Sequence, residues 1–265
     1  MDDFQQYKID FENGTIPIGE LTIGDRVVDP SWVWEFRLGV NYSDVDWKGN
    51  PTTPGEVKPV TWIVVAKDHY DGLEPHVTLL SEDLIGLHTF DNSTGRDHKF
   101  DENGYNHWGE SGTASASLGL RPWLNSSGIH AAEGFYQAFS DSFEGAVLTT
   151  TVPNKEWKNG SAYNALDYVF IPSATELGDS EHKYTYPIGS VYPFFQGSGD
   201  AKRVAMSSGD TWWYWTRSPE TSTGFGVRIA NLTGEFTYFP AGNGRSAVRP
   251  ALNLKSEVLV SEIKD

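Results

Sequence analysis

The apolar content of this chain is carried by rings rather than by aliphatic stripes: 10 Trp, 12 Tyr and 14 Phe stand among 27 Gly and 14 Pro. Rings and β-branched residues fit a pleated, half-buried surface, and frequent glycine and proline close the connections between short elements. For 265 residues the expectation is a single sheet-rich, loop-rich domain. No low-complexity run interrupts it, so the chain reads as ordered.

Apolar residues recur at every second position in Gly24-Asp25-Arg26-Val27-Val28 and in Trp32–Arg37, which predicts two half-buried strands. Residues 41–59 collect turn formers and read as a surface loop. Val60–Ala66 is a continuous β-branched and aromatic run, and Val77–Ser81 repeats that character after a turn at Gly72, so the pair predicts a central hairpin. Helical spacing follows in two places. Leu118, Leu120 and Leu124 recur within 114–124, and Phe135, Phe139 and Phe143 within 134–143, predicting two short amphipathic helices.

Val169–Ser173 reads as a short buried strand, and residues 178–210 as mostly loop. Further strands are expected at Trp212–Thr216, Phe225–Ala230, Glu235–Phe239 and Val248–Leu254, with turns at Gly234 and Gly242-Asn243-Gly244. Strands, then two helices, then strands is a segregated order, which indicates the α+β class with antiparallel sheets and long loops.

Twenty Lys plus Arg against 36 Asp plus Glu give a net charge of −16. Such a field repels phosphate backbones and anionic lipid, so neither nucleic acid nor a membrane is an expected partner. No apolar stretch approaches the ~18–20 residues of a membrane span. The start Met1-Asp2-Asp3-Phe4 lacks a basic region leading into an apolar one, so cytoplasmic residence is the default expectation, with surface or virion display the alternative.

Cysteine is absent, which removes disulfides, thiolate nucleophiles and cysteine-ligated metals. There is no Gly-x-Ser-x-Gly elbow, no Ser-x-x-Lys and no phosphate loop, and Gly242–Ala247 lies too near the end of the chain to open a βαβ unit. His69, His76, His88, His98, His107, His130 and His182 show no metal-ligand spacing. Asp44–Asn50 starts like a calcium loop but places Lys48 at a ligand position, and the oxygen-rich run Asp91–Asn103 reads as an acidic surface loop. Nothing selects one carboxylate pair, such as Glu110 with Glu133, over another. No catalytic residue, metal or cofactor is assigned, and a non-enzymatic protein is expected.

The informative region is 207–254. There Thr211-Trp212-Trp213-Tyr214-Trp215-Thr216-Arg217-Ser218-Pro219 precedes strands that mix Phe225, Tyr238 and Phe239 with Ser222, Thr223, Asn243 and Arg245. Large rings add contact area at low entropy cost, and small polar residues add adaptable hydrogen bonds. Period-two burial sends about half of the region to the core: Trp212, Trp215, Val227, Ile229, Phe236 and Val248.

Several motifs stand in order: Lys58–Val65, Leu118-Gly119-Leu120-Arg121-Pro122-Trp123-Leu124-Asn125, Gly134–Phe139, Asp167–Glu176, Tyr214-Trp215-Thr216-Arg217-Ser218-Pro219 and Gly244–Leu252. Together they resemble a bacterial and phage family of C-type lectin fold, in the branch related to formylglycine-generating enzyme. The closer similarity is to the variable proteins of diversity-generating retroelements. The resemblance covers about residues 57–254. It implies a C-type lectin fold with two short helices, an N-terminal strand and loop extension over 1–56, a scaffold over 57–206 and a variable ligand-binding region over 207–254.

It implies further that framework residues Trp215, Arg217, Ser218, Pro219, Val248, Arg249 and Pro250 hold the fold. Between them Trp213, Tyr214, Glu220, Thr223, Phe225, Arg228, Tyr238, Phe239, Asn243 and Arg245 are the candidates for a hypervariable surface that recognises a protein or other macromolecular ligand. Arg217 and Arg249 are expected to pair with carboxylate or carbonyl groups rather than with ligand.

Formylglycine-generating enzymes use cysteine, so that activity does not carry over. Glu74-Pro75-His76 has the wrong third residue for a calcium-dependent sugar motif. The rival readings are an enzyme on the same scaffold without cysteine, and a phage structural or receptor-binding domain. A cluster of strongly shifted titratable groups in a cleft favours the enzyme, and a solvent-facing aromatic patch favours binding.

Overall fold

The computed structural model describes residues 4–36, 56–90, 119–125, 135–156, 159–207, 209–222 and 224–263. An eight-stranded sheet organises them. Its strands are β1 (Gln6–Ile9), β2 (Ile16–Pro17), β3 (Arg26–Phe36), β4 (Glu56–Lys67), β5 (His76–Ser81), β8 (Val169–Phe170), β14 (Ala251–Lys255) and β15 (Leu259–Glu262), in the spatial order β2-β15-β1-β3-β4-β5-β14-β8. Only β1 and β3 pair parallel among these; the other neighbours are antiparallel.

The apolar run of β4 lies near the middle because an unbroken run suits a strand covered on both faces. Trp62, Val64, Val65 and Ala66 have no exposed surface. β5 is buried along its whole length and pairs with β4 as the expected central hairpin, with Gly72 at φ +78 in the connection.

The two N-terminal runs read as separate strands are one, β3, whose register on β4 shifts between Val28 and Val33. Pro30 falls inside the shift, where a missing N–H does least harm to the ladder. Asp29 Oδ1 accepts from both the backbone N and Oγ of Ser31 across it. Within the span 1–56, β1, β2 and β3 are strands of the main sheet. The loop expected over 41–59 ends earlier, since β4 already begins at Glu56, and 41–55 lie outside the described residues.

Two hairpins and a smaller sheet complete the described chain. β6 (Thr150–Lys155) pairs with β7 (Ala162–Asp167), β9 (Ala205–Ser207) with β10 (Asp210–Trp212), and β11 (Tyr214–Pro219), β12 (Gly226–Ala230) and β13 (Phe236–Pro240) form a three-stranded sheet. Asn253 ties β14 to two neighbours. Its Oδ1 accepts from Thr78 Oγ1 at 2.7 Å, and its Nδ2 donates to Thr150 Oγ1 at 2.8 Å.

The α+β expectation, and with it the C-type lectin arrangement, is corrected. Strands take 41% and helical segments 11% of the described residues, so the class is all-β. The two helices are α1 (Leu120–Leu124) and α2 (Asp141–Glu144), too short to form a layer. The ring spacing at 135, 139 and 143 is real but is not one helix. A 3-10 turn over Tyr136–Ala138 ends at extended Phe139, and Ser140, also extended, accepts from Phe143 N on Oγ to start α2. The rings still stack edge to face, Phe135 on Phe139 at 5.3 Å and Phe139 on Phe143 at 4.7 Å, because a broken backbone delivered them to the same core.

Candidate functional site

β11 and β12 are buried along their whole length. Trp215, Val227, Ile229 and Val248 are in the core as expected, while Trp212 and Phe236 are half-buried. Burial on both faces of a strand defeats period-two reasoning and removes three candidates from the surface. Tyr214 is buried, and its hydroxyl donates to the Arg203 carbonyl at 2.8 Å. Glu220 is buried, with Oε1 accepting from Ser222 N at 2.9 Å. Arg228 is buried and donates through Nη2 to the Phe236 carbonyl at 3.2 Å. Burial lowers its pKa, against the opposing carboxylates of Asp179 and Glu220. Thr223 lies outside the described residues.

The remaining six are partly or fully exposed, and four form one patch. Trp213 meets Phe239 edge to face at 5.2 Å. The indole N–H groups of Trp212 and Trp213 both donate to the Arg245 carbonyl, at 2.8 and 3.0 Å, and Arg245 N donates to Asn243 Oδ1 at 2.8 Å. Phe225, 42% exposed, joins at the rim, its carbonyl accepting from Ala241 N at 2.8 Å. Tyr238 is equally exposed but sits opposite Arg228, one residue out of phase with Phe239 opposite Val227, so it belongs to the other face of β13.

A second group of buried residues is ionic. Arg217, buried, grips the buried Glu176 carboxylate with both terminal nitrogens: Nη1 lies 2.5 Å from Oε2, and Nη2 bonds Oε1. Nη1 also donates to the Ile171 carbonyl at 2.8 Å and Nε to the Pro153 carbonyl at 3.2 Å. Ser173 N, Tyr70 and Tyr192 complete the carboxylate's surroundings. Burial pulls the guanidinium pKa down, but Glu176 together with Tyr70 and Tyr192 more than offsets it, leaving the group raised. Burial also pushes both phenols well above their ordinary value. Arg249 likewise donates to the carbonyls of Ser81 and Arg203, at 3.0 and 3.4 Å. Both arginines have the structural partners expected of them.

Behind this ion pair the molecule opens a cleft of about 380 Å³, lined by His69, Asp71, Thr151, Asn164, Glu176 and Ser190 among others. Sequence reasoning did not find it. Its walls come from the β4–β5 turn, the β6–β7 hairpin and the 173–192 segment, and no local spacing joins them. Only Glu176 stood in a quoted motif. His69 is wedged edge-on against Tyr70 and Tyr192 at 5.1 and 4.7 Å, with Nε2 3.4 Å from Ser190 Oγ. Burial lowers its pKa, so the imidazole is neutral at neutral pH.

Residues 75–256 match the family model described as Domain of unknown function (DUF6273). The chain belongs to that family. The matched span runs from β5 through β14, taking in the three-stranded sheet and the Glu176–Arg217 pair, and leaves His69, Tyr70 and Asp71 just outside. No curated protein and no solved structure matches the chain. Among the described residues no helix is long and apolar enough to cross a membrane.

Proposed function

We propose that this protein is a non-enzymatic binding protein that recognises a macromolecular ligand through the patch of Trp213, Phe239, Asn243 and Arg245, with Phe225 at its rim. The observation that carries the reading is the double indole bond to the Arg245 carbonyl. It fixes two tryptophan rings and the backbone under an arginine before any ligand arrives. Rings and arginine are the side chains that dominate recognition surfaces, and a pre-ordered patch loses less entropy on binding. Tyr70 and Tyr192 bond each other and the Glu176 carboxylate that Arg217 holds, so these buried groups have partners within the protein.

The resemblance to retroelement variable proteins extends the proposal: this patch is the diversified surface. The test is to sequence the gene and its flanks in closely related isolates. Substitutions are expected to concentrate at codons 213, 225, 239, 243 and 245 and to spare 214, 217, 220 and 228, with a nearby copy of the segment differing at adenines. Equal constancy at both sets of codons, with no such copy, overturns it.

A further inference from the structure

The loop that follows β13 holds a reactive sequence whose chemistry needs no ligand, so it stands apart from the binding reading. Asn followed by Gly occurs at Asn13-Gly14, Asn103-Gly104, Asn159-Gly160 and Asn243-Gly244, of which Asn103-Gly104 lies outside the described residues. In such a pair the glycine nitrogen can attack the carbonyl carbon of the asparagine side chain, because no β-carbon crowds its approach. The pairs are alike in sequence, so a difference in reactivity between them comes from the fold.

Two features set Asn243-Gly244 apart. Gly14 N donates to the Asp10 carbonyl and Gly160 N to the Glu156 carbonyl, each at 3.0 Å, so in those pairs the nucleophile is tied to an acceptor and attack must wait for local opening. Gly244 N has no such bond among the described residues. At the other end of the reaction, Arg245 N donates to Asn243 Oδ1 at 2.8 Å. That oxygen takes up negative charge when its carbon is attacked, and a donor already in place stabilises it. Asn159 has an equivalent donor in Ser161 N at 2.9 Å but lacks the untied nitrogen. Exposure predicts the opposite order, since Asn13 and Asn159 are exposed and Asn243 is half-buried.

We propose that Asn243 is a site of spontaneous deamidation selected by the fold. Gly244 N loses its proton to solvent base and bonds Asn243 Cγ, while the Cγ–Nδ2 bond breaks and the nitrogen leaves as ammonia, giving a cyclic imide. Water then opens the ring at either carbonyl and leaves aspartate or isoaspartate, so that water is taken up and ammonia released. Both products carry a carboxylate at a position that was neutral. Isoaspartate also routes the main chain through the side-chain carbon, lengthening it just before the Arg245 carbonyl that holds the Trp212 and Trp213 indoles. The chain is pinned on both sides, by Ala241 N on the Phe225 carbonyl and Ala247 N on the Trp213 carbonyl, so the added length pulls the Arg245 carbonyl away from the indoles.

The experiment is to hold the folded full chain in mildly alkaline buffer and follow deamidation site by site through tryptic mass mapping; Asn13, Asn159 and Asn243 fall in the separate fragments 9–26, 159–183 and 229–245. Asn243 is expected to convert about fivefold faster than either other residue, the advantage of an untied nitrogen over a hydrogen-bonded one. In urea the three rates should converge. Gly244→Ala, at a residue that does not need positive φ, should remove the excess at 243 and leave 13 and 159 unchanged. Isoaspartate at 243 should shift tryptophan emission, whereas Asn243→Asp, which keeps an acceptor for Arg245 N, should not. The site is overturned if Asn243 converts no faster than Asn13 or Asn159 in the folded chain, or if its lead persists in urea. Unchanged emission of the isoaspartyl protein overturns the release of the indoles.

Discussion

Replacing Arg217 by methionine removes a buried cation from a buried carboxylate while roughly preserving side-chain length. Breaking a buried pair from one side costs about 3–5 kcal/mol, because the surviving charge has neither water nor partner. Two further losses are read from the structure: the Ile171 and Pro153 carbonyls each lose a donor, adding about 1 kcal/mol apiece. The sum, about 5–7 kcal/mol, rivals the whole stability of an ordinary domain, about 5–15 kcal/mol.

Glu176→Met strands the guanidinium in the same way. The double variant leaves no uncompensated charge, so it should be more stable than either single one, although it still carries the two deprived carbonyls. Urea unfolding of the parent, both singles and the double gives the four corners of the cycle. The reasoning fails if Arg217→Met costs less than about 2 kcal/mol or if the two single losses simply add.

Two other perturbations test the geometry. Gly234 stands at φ +84 with the Asp200 carbonyl oxygen 1.8 Å from where a Cβ would lie. Gly234→Ala must therefore displace backbone as well as adopt a strained conformation, and a loss of about 2–4 kcal/mol in urea unfolding is expected; a loss below about 0.5 kcal/mol contradicts the close approach. His69, whose pKa burial lowers in the folded protein, binds its proton more readily when unfolded. Its contribution is thus fully present above the unfolded value of about 6.5 and is lost as the pH falls through the lower folded one. Unfolding of His69→Gln followed from pH 8 to pH 5 should show a shallower fall in stability than the parent, and parallel curves refute the assignment.

Among the strands that sequence reasoning recovered, β5, β11 and β12 are buried along their whole length. The β4–β5 hairpin was legible because an unbroken apolar run followed by a glycine turn and a second run has few other solutions. β6 and β7 were not, since Thr150–Lys155 and Ala162–Asp167 carry Thr, Pro, Asn, Lys and Asp in a hairpin with exposed positions on both strands. The helix expected over 134–143 was drawn too long for a related reason. A spacing of four records which side chains reach the core, and at Phe135–Phe143 a 3-10 turn, an extended link and one helical turn satisfy it as well as a continuous helix.

Of the candidates read from 207–254, Phe225 is exposed and Trp213, Phe239, Asn243 and Arg245 are half-buried. Tyr214, Glu220 and Arg228 are buried, because β11 and β12 are covered on both faces and alternation no longer separates inside from outside. The structural role of Arg217 was also legible, as a residue type that does not remain buried unpaired. Its partner was not. Glu176 lies 41 residues away, and the cleft joins residues from 69 to 190 through strand pairings that no local pattern encodes. Periodicity and residue chemistry are short-range properties, so the sequence by itself determined which apolar runs become strands and which side chains need partners. Which partner each receives, and where the packed segments leave a space between them, depends on long-range closure of the sheet and was decided only by the tertiary structure.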